Sequence, residues 1–286
     1  MNFTNKHHMP DHICRWCAAD EYDYRPGVYS ATTLIAPARA FVLKKQHADE
    51  LTMDYADLLK SRLGAAIHDS LEKLAVYGDS DFREKRFFAE IMGCTVSGKM
   101  DAVIDGVIRD NKSTSVWKFV KKEFDDYVKQ LSIYKWILHK NGIETAEYAY
   151  IDFFFTDWKK SDAEKGGDYP PVLYQEQRIE LMALDETASY IIERLNEIIF
   201  AETSLPECSK EELWTRDECW AVYVKAGQSR AKKICKTEEE AKRYAAENHL
   251  GYIEHRPGKV MRCNYCTAAP WCDQYKRMRE AGQIDD

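Results

Sequence analysis

The pair Asp105-Gly106, set between two apolar runs, restricts the folding of this chain more than any other feature. Both central residues of a two-residue β-turn need positive φ, which Asp and Gly adopt at low cost, so the pair predicts a tight antiparallel hairpin. Counting outward pairs Ile104 with Val107, Val103 with Ile108, Ala102 with Arg109 and Asp101 with Asp110. Two carboxylates then face each other about 5 Å apart on one side of a ladder. Like charges so placed repel unless a cation lies between them, and a hard divalent cation takes carboxylate oxygens readily. Lys112 falls on the same side by strand alternation, where it can orient a water or stabilise charge developing on a phosphate. A lone D-x-K tripeptide is common on solvated surfaces. The second aligned carboxylate and the turn between the two set this one apart.

Helical and extended periods alternate around the hairpin. Asp54 to Val76 places Leu59, Leu63, Ala66, Ile67, Leu71 and Leu74 at spacings of three and four, and Gly78 ends the pattern. Residues 86–117 are rich in β-formers and broken by Gly93, Gly98 and Asp105-Gly106, which predicts three strands. Glu123 to Lys140 is again helical, stopped by Asn141-Gly142, and residues 146–157 form a dense apolar strand of the kind buried on both faces. The order helix, three strands, helix, strand implies an α/β (α+β) fold with a mixed central sheet flanked by helices. Before it, residues 30–40 read as a turn-rich segment in which Pro37 discourages helix at Ala36. After it come a linker containing Gly166-Gly167 and Pro170-Pro171, and a helix from Asp185 to Phe200. A hairpin over 220–236, a helix opened by the capping box Thr237-x-x-Glu240 and a cysteine-rich terminus follow. The expected division is an extension over 1–28, a core over 29–205 and a cysteine-containing region over 206–286.

Charge enters the argument through its distribution. The net charge is -7, yet residues 225–236 carry Lys225, Arg230, Lys232, Lys233 and Lys236 with no acid, and cations also predominate over 109–140 and 256–279. Binding a phosphate backbone requires a local positive surface and not a positive total, so the global sign excludes no nucleic-acid partner. No apolar run approaches the roughly 20 residues of a spanning helix, and the opening MNFTNKHHMPDHICRWC lacks an apolar signal region. The expectation is a cytoplasmic protein without membrane contact, whose nine cysteines are thiols and metal ligands and not a disulfide framework. Cys263-x-x-Cys266 followed by Cys272 has metal-ligand spacing, and Cys14-x-x-Cys17 has it in part.

Gly98-Lys99-Met100-Asp101 followed by Asp110-Asn111-Lys112 resembles the G-x-x-D and D-x-K pair of the PD-(D/E)XK nuclease superfamily, whose restriction-endonuclease-like core has the element order αβββαβ. Gly64-Ala-Ala-Ile-His68 and Gln130-Leu-Ser-Ile-Tyr134 resemble the G-x-x-x-H and Q-x-x-x-Y motifs of RecB-type exonucleases, and Ser30-x-Thr32-x-Leu34 resembles their opening segment. Ser115-Val116-Trp117 and Asp157-Trp158 make phage-borne members the nearest likeness, with the CRISPR-associated iron–sulfur exonucleases as relatives. A phage-borne member works in the host cytoplasm.

The resemblance implies a metal-dependent deoxyribonuclease, with exonuclease favoured over endonuclease, in recombination, repair or phage DNA processing. It implies Mg2+ or Mn2+ held by Asp101, Asp110, the carbonyl of Asn111 and His68, activating a water and polarising the scissile phosphate. Lys112 then orients the attacking hydroxide, while Gln130 and Tyr134, one turn apart, reach toward a phosphate or toward Lys112. Glu84 and Glu90 both match an acidic position ahead of the pair. DNA is the expected partner, with Lys118, Lys121, Lys122 and Lys129 on its backbone and Trp117 and Phe119 available for stacking. The cysteine site, zinc or a 4Fe-4S cluster, combines Cys263, Cys266 and Cys272 with Cys208 or with Cys14 or Cys17; Ala36-Pro37-Ala38-Arg39 stands where iron–sulfur relatives place a cysteine. The competing expectation is a non-catalytic DNA-binding protein on the same fold.

Overall fold

The computed structural model describes residues 2–19, 25, 27–73, 78 and 81–284. They form two compact units, one of Met1–Ala38 with Thr52–Ser204 and the other of Arg39–Leu51 with Leu205–Asp286. The first unit opens with β1 (Asn2–Thr4), α1 (Asp11–Ala18), β2 (Val28–Ser30) and α2 (Ala31–Leu34). Helix α3 (Ala38–Gln46) begins just past Pro37, where a proline is tolerated because the first helical N–H groups have no partner. The turn-rich reading of 30–40 thus gives way to two short helices broken at Ala36-Pro37.

After β3 (Thr52–Asp54), which pairs with β1 in parallel, α4 (Tyr55–Glu72) starts where the Asp54 side chain accepts the Ala56 N–H at 3.1 Å. The helical pattern extended to Val76, and its residues 74–76 lie outside the described residues. The expected three strands are β4 (Phe82–Ile91), β5 (Cys94–Ile104) and β6 (Val107–Thr114). Met92-Gly93 joins the first two with φ of 53° and 71°, and Asp105-Gly106 joins the second two with φ of 51° and 72°. A short α5 (Val116–Val120) precedes α6 (Asp125–Lys140), and β7 (Tyr148–Phe155) follows. Helix α7 (Lys160–Ala163), β8 (Tyr174–Glu180) and α8 (Leu184–Ala201) complete the unit.

Strand order in the main sheet is β2-β5-β6-β7-β8, with β4 on the other edge of β5. The hairpin register matches the outward count for three pairs: Ile104 with Val107, Val103 with Ile108 and Ala102 with Arg109. The ladder then stops. Beyond Arg109, β6 leaves β5 and runs parallel to β7, from Ile108 beside Ala149 to Thr114 beside Phe155. Farther back along the vacated edge, β2 pairs with Thr95 to Ser97 of β5. The sheet is therefore forked, with residues 98–101 at the fork unpaired on that edge. Asp101 and Asp110 flank it and are not partners in the ladder, which corrects the fourth predicted pair.

The fork lies between two helices. Helix α6 packs on one face, where a Cβ added to Gly98 would stand 2.7 Å from Tyr134 Cδ1. Helix α4 packs on the opposite face, where a Cβ added to Gly64 would stand 2.7 Å from Ser113 Oγ. The two glycines allow these approaches and fix the depth of the site. Met100, Ile108, Leu131, Ile133, Ile137, Leu138, Ile151, Phe153 and Phe155 are fully buried around it. The stretch read as a linker contains β8, which pairs antiparallel with β7 from Tyr148–Glu180 to Phe154–Tyr174. Its sequence, YQEQRIE, carries mostly polar residues because it is an edge strand, so it lacks the apolar signature of β7.

In the second unit, β9 (Cys219–Tyr223), β10 (Lys233–Cys235) and β11 (Tyr252–Arg256) form an antiparallel sheet of order β10-β9-β11. Helix α9 (Glu238–Glu247) covers one face, its Ala241 and Ala245 packing with Val222 and Cys235. Thr237 caps it by accepting the Glu240 N–H at 3.2 Å, as the box predicted. Two 3-10 turns, Arg262–Tyr265 and Ala269–Trp271, lead to α10 (Asp273–Glu280). Among the described residues no helix is long and apolar enough to cross a membrane.

Candidate metal centre

Strand divergence frees the Asp101 carboxylate from a ladder position, and its Oδ2 accepts the Asn111 N–H at 2.7 Å. This bond ties the two arms of the fork together. His68, one turn along α4 from Gly64, brings Nδ1 to 3.4 Å from the same oxygen and to 3.3 Å from Glu84 Oε1. Ligand atoms of His68, Glu84 and Asp101 all lie within 4.8 Å of one another.

Glu84 is the acidic residue that geometry selects between the two candidates. It sits opposite Asp101, between the pairs Arg83–Ala102 and Lys85–Met100, in the left-handed region with φ of 48°. A non-glycine residue seldom enters that region, and those that do cluster at functional sites. Here the side chain is held at both oxygens, by His68 and by Lys99 Nζ at 2.6 Å. Glu90 instead accepts from Thr95 at the exposed β4–β5 turn, away from the cluster.

Asp110 and Lys112 lie on the α6 side of β6. Lys112 Nζ is 2.6 Å from Asp110 Oδ2, a close buried ion pair. Burial pushes the Asp110 carboxyl up to about 6, with Lys112 opposing and Asp101 adding to the shift. For Lys112, burial favours the neutral amine, but Asp110 and Asp101 outweigh it and hold the ammonium. Hydrogen bonds to Asp101 and Glu84 raise His68 to about 10. Gln130 Nε2 donates to Tyr134 Oη at 2.7 Å, and burial together with nearby Asp110 raises the Tyr134 phenol.

The donor chemistry fits a hard divalent cation. Ligand atoms of Glu84, Asp101 and His68 gather as carboxylate oxygens with an imidazole nitrogen, and the Asp110 carboxylate, near enough to feel the charges of Asp101 and His68, adds to the oxygen-rich set. Glu84 has no D-x-K spacing to mark it. Only its place ahead of the Asp101–Asp110 pair pointed to it, and it lies within β4.

Residues expected along a DNA strand fall differently. Trp117 is exposed and meets Tyr169 edge-on, Lys118 Nζ lies 4.3 Å from the centre of the Tyr127 ring, and Lys122 is exposed with φ of 56°. Lys121 stands 3.8 Å from Glu123, and Lys129 lies over Tyr190. Phe119, half-buried, packs against Phe124, Phe153 and Phe155.

Of the C-terminal cysteines, the four expected as ligands divide between adjoining apolar clusters, Cys208 and Cys263 in one and Cys266 and Cys272 in the other, with Tyr275 common to both. No three of their sulfurs lie within 4.8 Å of one another. Buried Arg39 donates from Nε to Cys272 Sγ at 3.1 Å, and the Tyr275 N–H reaches the same sulfur at 3.4 Å. Burial pushes Cys208 up to about 12 and Cys263 up to about 11. Cys14 and Cys17 are buried in the first unit, where α1 packs on α4 and Arg62 bonds the Cys17 carbonyl at 3.0 Å.

A mixed sheet forked between β5 and β6 and flanked by helices defines a restriction-endonuclease-like fold. No known family's sequence pattern matches the chain, and no curated protein matches it. Solved structures similar to it include SSO0001, with 15% identity, a TM-score of 0.47 and coverage of 67% of this chain and 85% of that one. The alkaline exonuclease LHK-Exo from Laribacter hongkongensis has 13% identity, a TM-score of 0.34 and coverage of 67% and 95%. The same enzyme in complex with dAMP gives 15%, 0.32, 66% and 96%.

Proposed function

We propose that this chain is a divalent-metal-dependent nuclease that hydrolyses DNA phosphodiester bonds, acting as an exonuclease. The observation that carries the reading is the forked strand pair, which gathers Asp101, Asp110 and Lys112 beside His68 and Glu84. A bound Mg2+ or Mn2+ supplies Lewis acidity toward a phosphate and lowers the pKa of a water. Glu84, Asp101, Asp110 and His68 would hold the ion, together with the Asn111 carbonyl. Lys112, kept as an ammonium by two carboxylates, is placed to orient the nucleophile and to stabilise the charge that develops on the phosphate. Tyr134 and Gln130 form the wall of the site on the α6 side, and the close packing at Gly98 sets where that wall stands. Exposed Trp117, Lys121 and Lys122, with half-buried Lys118, supply backbone and base contacts to the strand being degraded.

In the second unit, Cys208, Cys263, Cys266 and Cys272 are read as the ligands of a metal centre. Thiolates suit zinc or an iron–sulfur cluster, and N–H donors to sulfur such as those on Cys272 are the support such ligands receive. Visible absorbance in anaerobically purified protein tests that choice.

The test of the nuclease is degradation of linear and circular, single- and double-stranded DNA with Mg2+ or Mn2+, in wild type, Asp101→Ala and Lys112→Ala. The expected result is metal-dependent loss of linear DNA by wild type alone, with circles intact. Equal activity in all three proteins, or none in any, overturns the reading.

A further inference from the structure

The cationic run at 225–236 takes no part in the metal centre, and in the fold it becomes the loop and edge strand of the β9–β10 hairpin. Strand β10 is an outer strand of the second unit's sheet, in the register Lys233–Val222, Ile234–Ala221, Cys235–Trp220. Alternation divides its residues. Cys235 faces α9 and is buried there, and Lys233 pairs with Glu240 of α9 at 3.0 Å. Lys232 and Ile234 face the other way. Ile234 is 51% exposed, and on the same face Tyr252 is 40% exposed, its ring against that of Tyr223. Val224, which opens the loop, is 43% exposed.

Lys225, Arg230, Lys232 and Lys236 are exposed, and among the described residues none of them has an ion-pair partner. Nearby Lys233, Lys242 and His255 do have one; Glu240, the acid at this edge, is engaged by Lys233 and the Lys236 N–H and pairs with none of these four side chains. Lys236 also lines a cleft of about 950 Å3 with Lys210, Arg216 and Lys259; Asp217 and Glu218 are its acids, and Glu218 is engaged by His255 at 3.0 Å.

Four unneutralised cations beside exposed Ile234 and Tyr252 match a ligand that alternates anions with flat apolar groups. A single strand of DNA has that chemistry, since phosphates contact Lys and Arg while unpaired bases rest on aromatic and aliphatic side chains. An acidic peptide would use the cations and leave Tyr252 and Ile234 without a role. We infer that the β9–β10 hairpin, through Lys225, Arg230 and Lys232 with Ile234 and Tyr252, is a second binding surface for single-stranded DNA, separate from the metal centre. The choice of DNA rests on the nuclease reading above, while the surface itself rests on the hairpin.

The test uses the full chain and fluorescence anisotropy with a labelled oligothymidylate in EDTA, so that binding is read without cleavage. The triple variant Lys225→Ala/Arg230→Ala/Lys232→Ala is expected to bind about tenfold more weakly, with a salt slope shallower by about three. Tyr252→Ala is expected to weaken binding severalfold with an unchanged salt slope. All substituted side chains are exposed, and an unaltered thermal midpoint verifies the fold. Wild-type affinity and slope in the triple variant overturn the inference, as does a loss confined to an oligouridylate RNA. Lys242→Ala, at an exposed lysine already paired with Glu238, is the counter-control and is expected to bind like wild type. If wild type binds through the hairpin but cleaves no DNA, the nuclease reading fails and this surface stands; if it cleaves and the triple variant binds unchanged, the reverse holds.

Discussion

Two glycines at the site face different neighbours, and the difference has a measurable consequence. A Cβ at Gly98 meets the ring of Tyr134, which is buried and bonded to Gln130, so the ring cannot move aside cheaply. Gly98→Ala is expected to destabilise by about 1–3 kcal/mol in urea unfolding and to lower activity by displacing the α6 wall. A Cβ at Gly64 meets only Ser113 Oγ, a hydroxyl that can rotate away. Gly64→Ala is expected to stay within about 1 kcal/mol of wild type, because alanine's higher helix propensity offsets the contact. Equal losses in the two variants would contradict this account. At the cluster, Glu84→Gln retains the size of the side chain but removes one charge next to His68 and Lys99. Calorimetric titration with Mn2+ is expected to show at least tenfold weaker binding, and unchanged affinity would exclude Glu84 as a ligand.

At the scale of elements, Asp157 joins the end of β7 to the start of α5. Its carboxylate accepts from Ser115 Oγ at 2.7 Å and from the Val116 N–H at 2.8 Å. Burial acts to raise its pKa, but these hydrogen bonds prevail and lower it. A carboxyl with a depressed folded-state pKa contributes stability above its unfolded value, near 4, and loses it as pH falls through the folded value. Asp157→Asn is therefore expected to lower the thermal midpoint at neutral pH and to flatten its decline on acidification below about pH 4. An acid limb identical to wild type would show that the carboxylate's charge plays no part. The elements also show where sequence patterns are legible. β5, β6, α6 and β7 could be read because each has one strong period and a marked end, Asp105-Gly106 or Asn141-Gly142. β8 could not be read, since its residues are mostly exposed and its pairing is supplied by β7.

For the whole molecule, an ion that binds only the folded chain stabilises it by mass action, by about 2.7 kcal/mol at a hundred times its dissociation constant. Thermal unfolding with increasing Mn2+ is expected to shift upward in wild type and not in Asp101→Ala; parallel shifts in both would place the ion elsewhere. Local chemistry in the sequence determined the turns, the long helices and the first three pairs of the hairpin, because these depend on neighbours within a few residues. The tertiary structure alone decided the fork. Past Arg109, β6 keeps its parallel ladder with buried β7 on one edge while its other edge parts from β5. That choice releases Asp101 from a face-to-face pair with Asp110 and leaves its carboxylate to the Asn111 N–H, His68 and the strained Glu84. These groups meet because α4, β4, β5 and β6 pack together around Gly64 and Gly98, and such packing leaves no periodic trace along the chain.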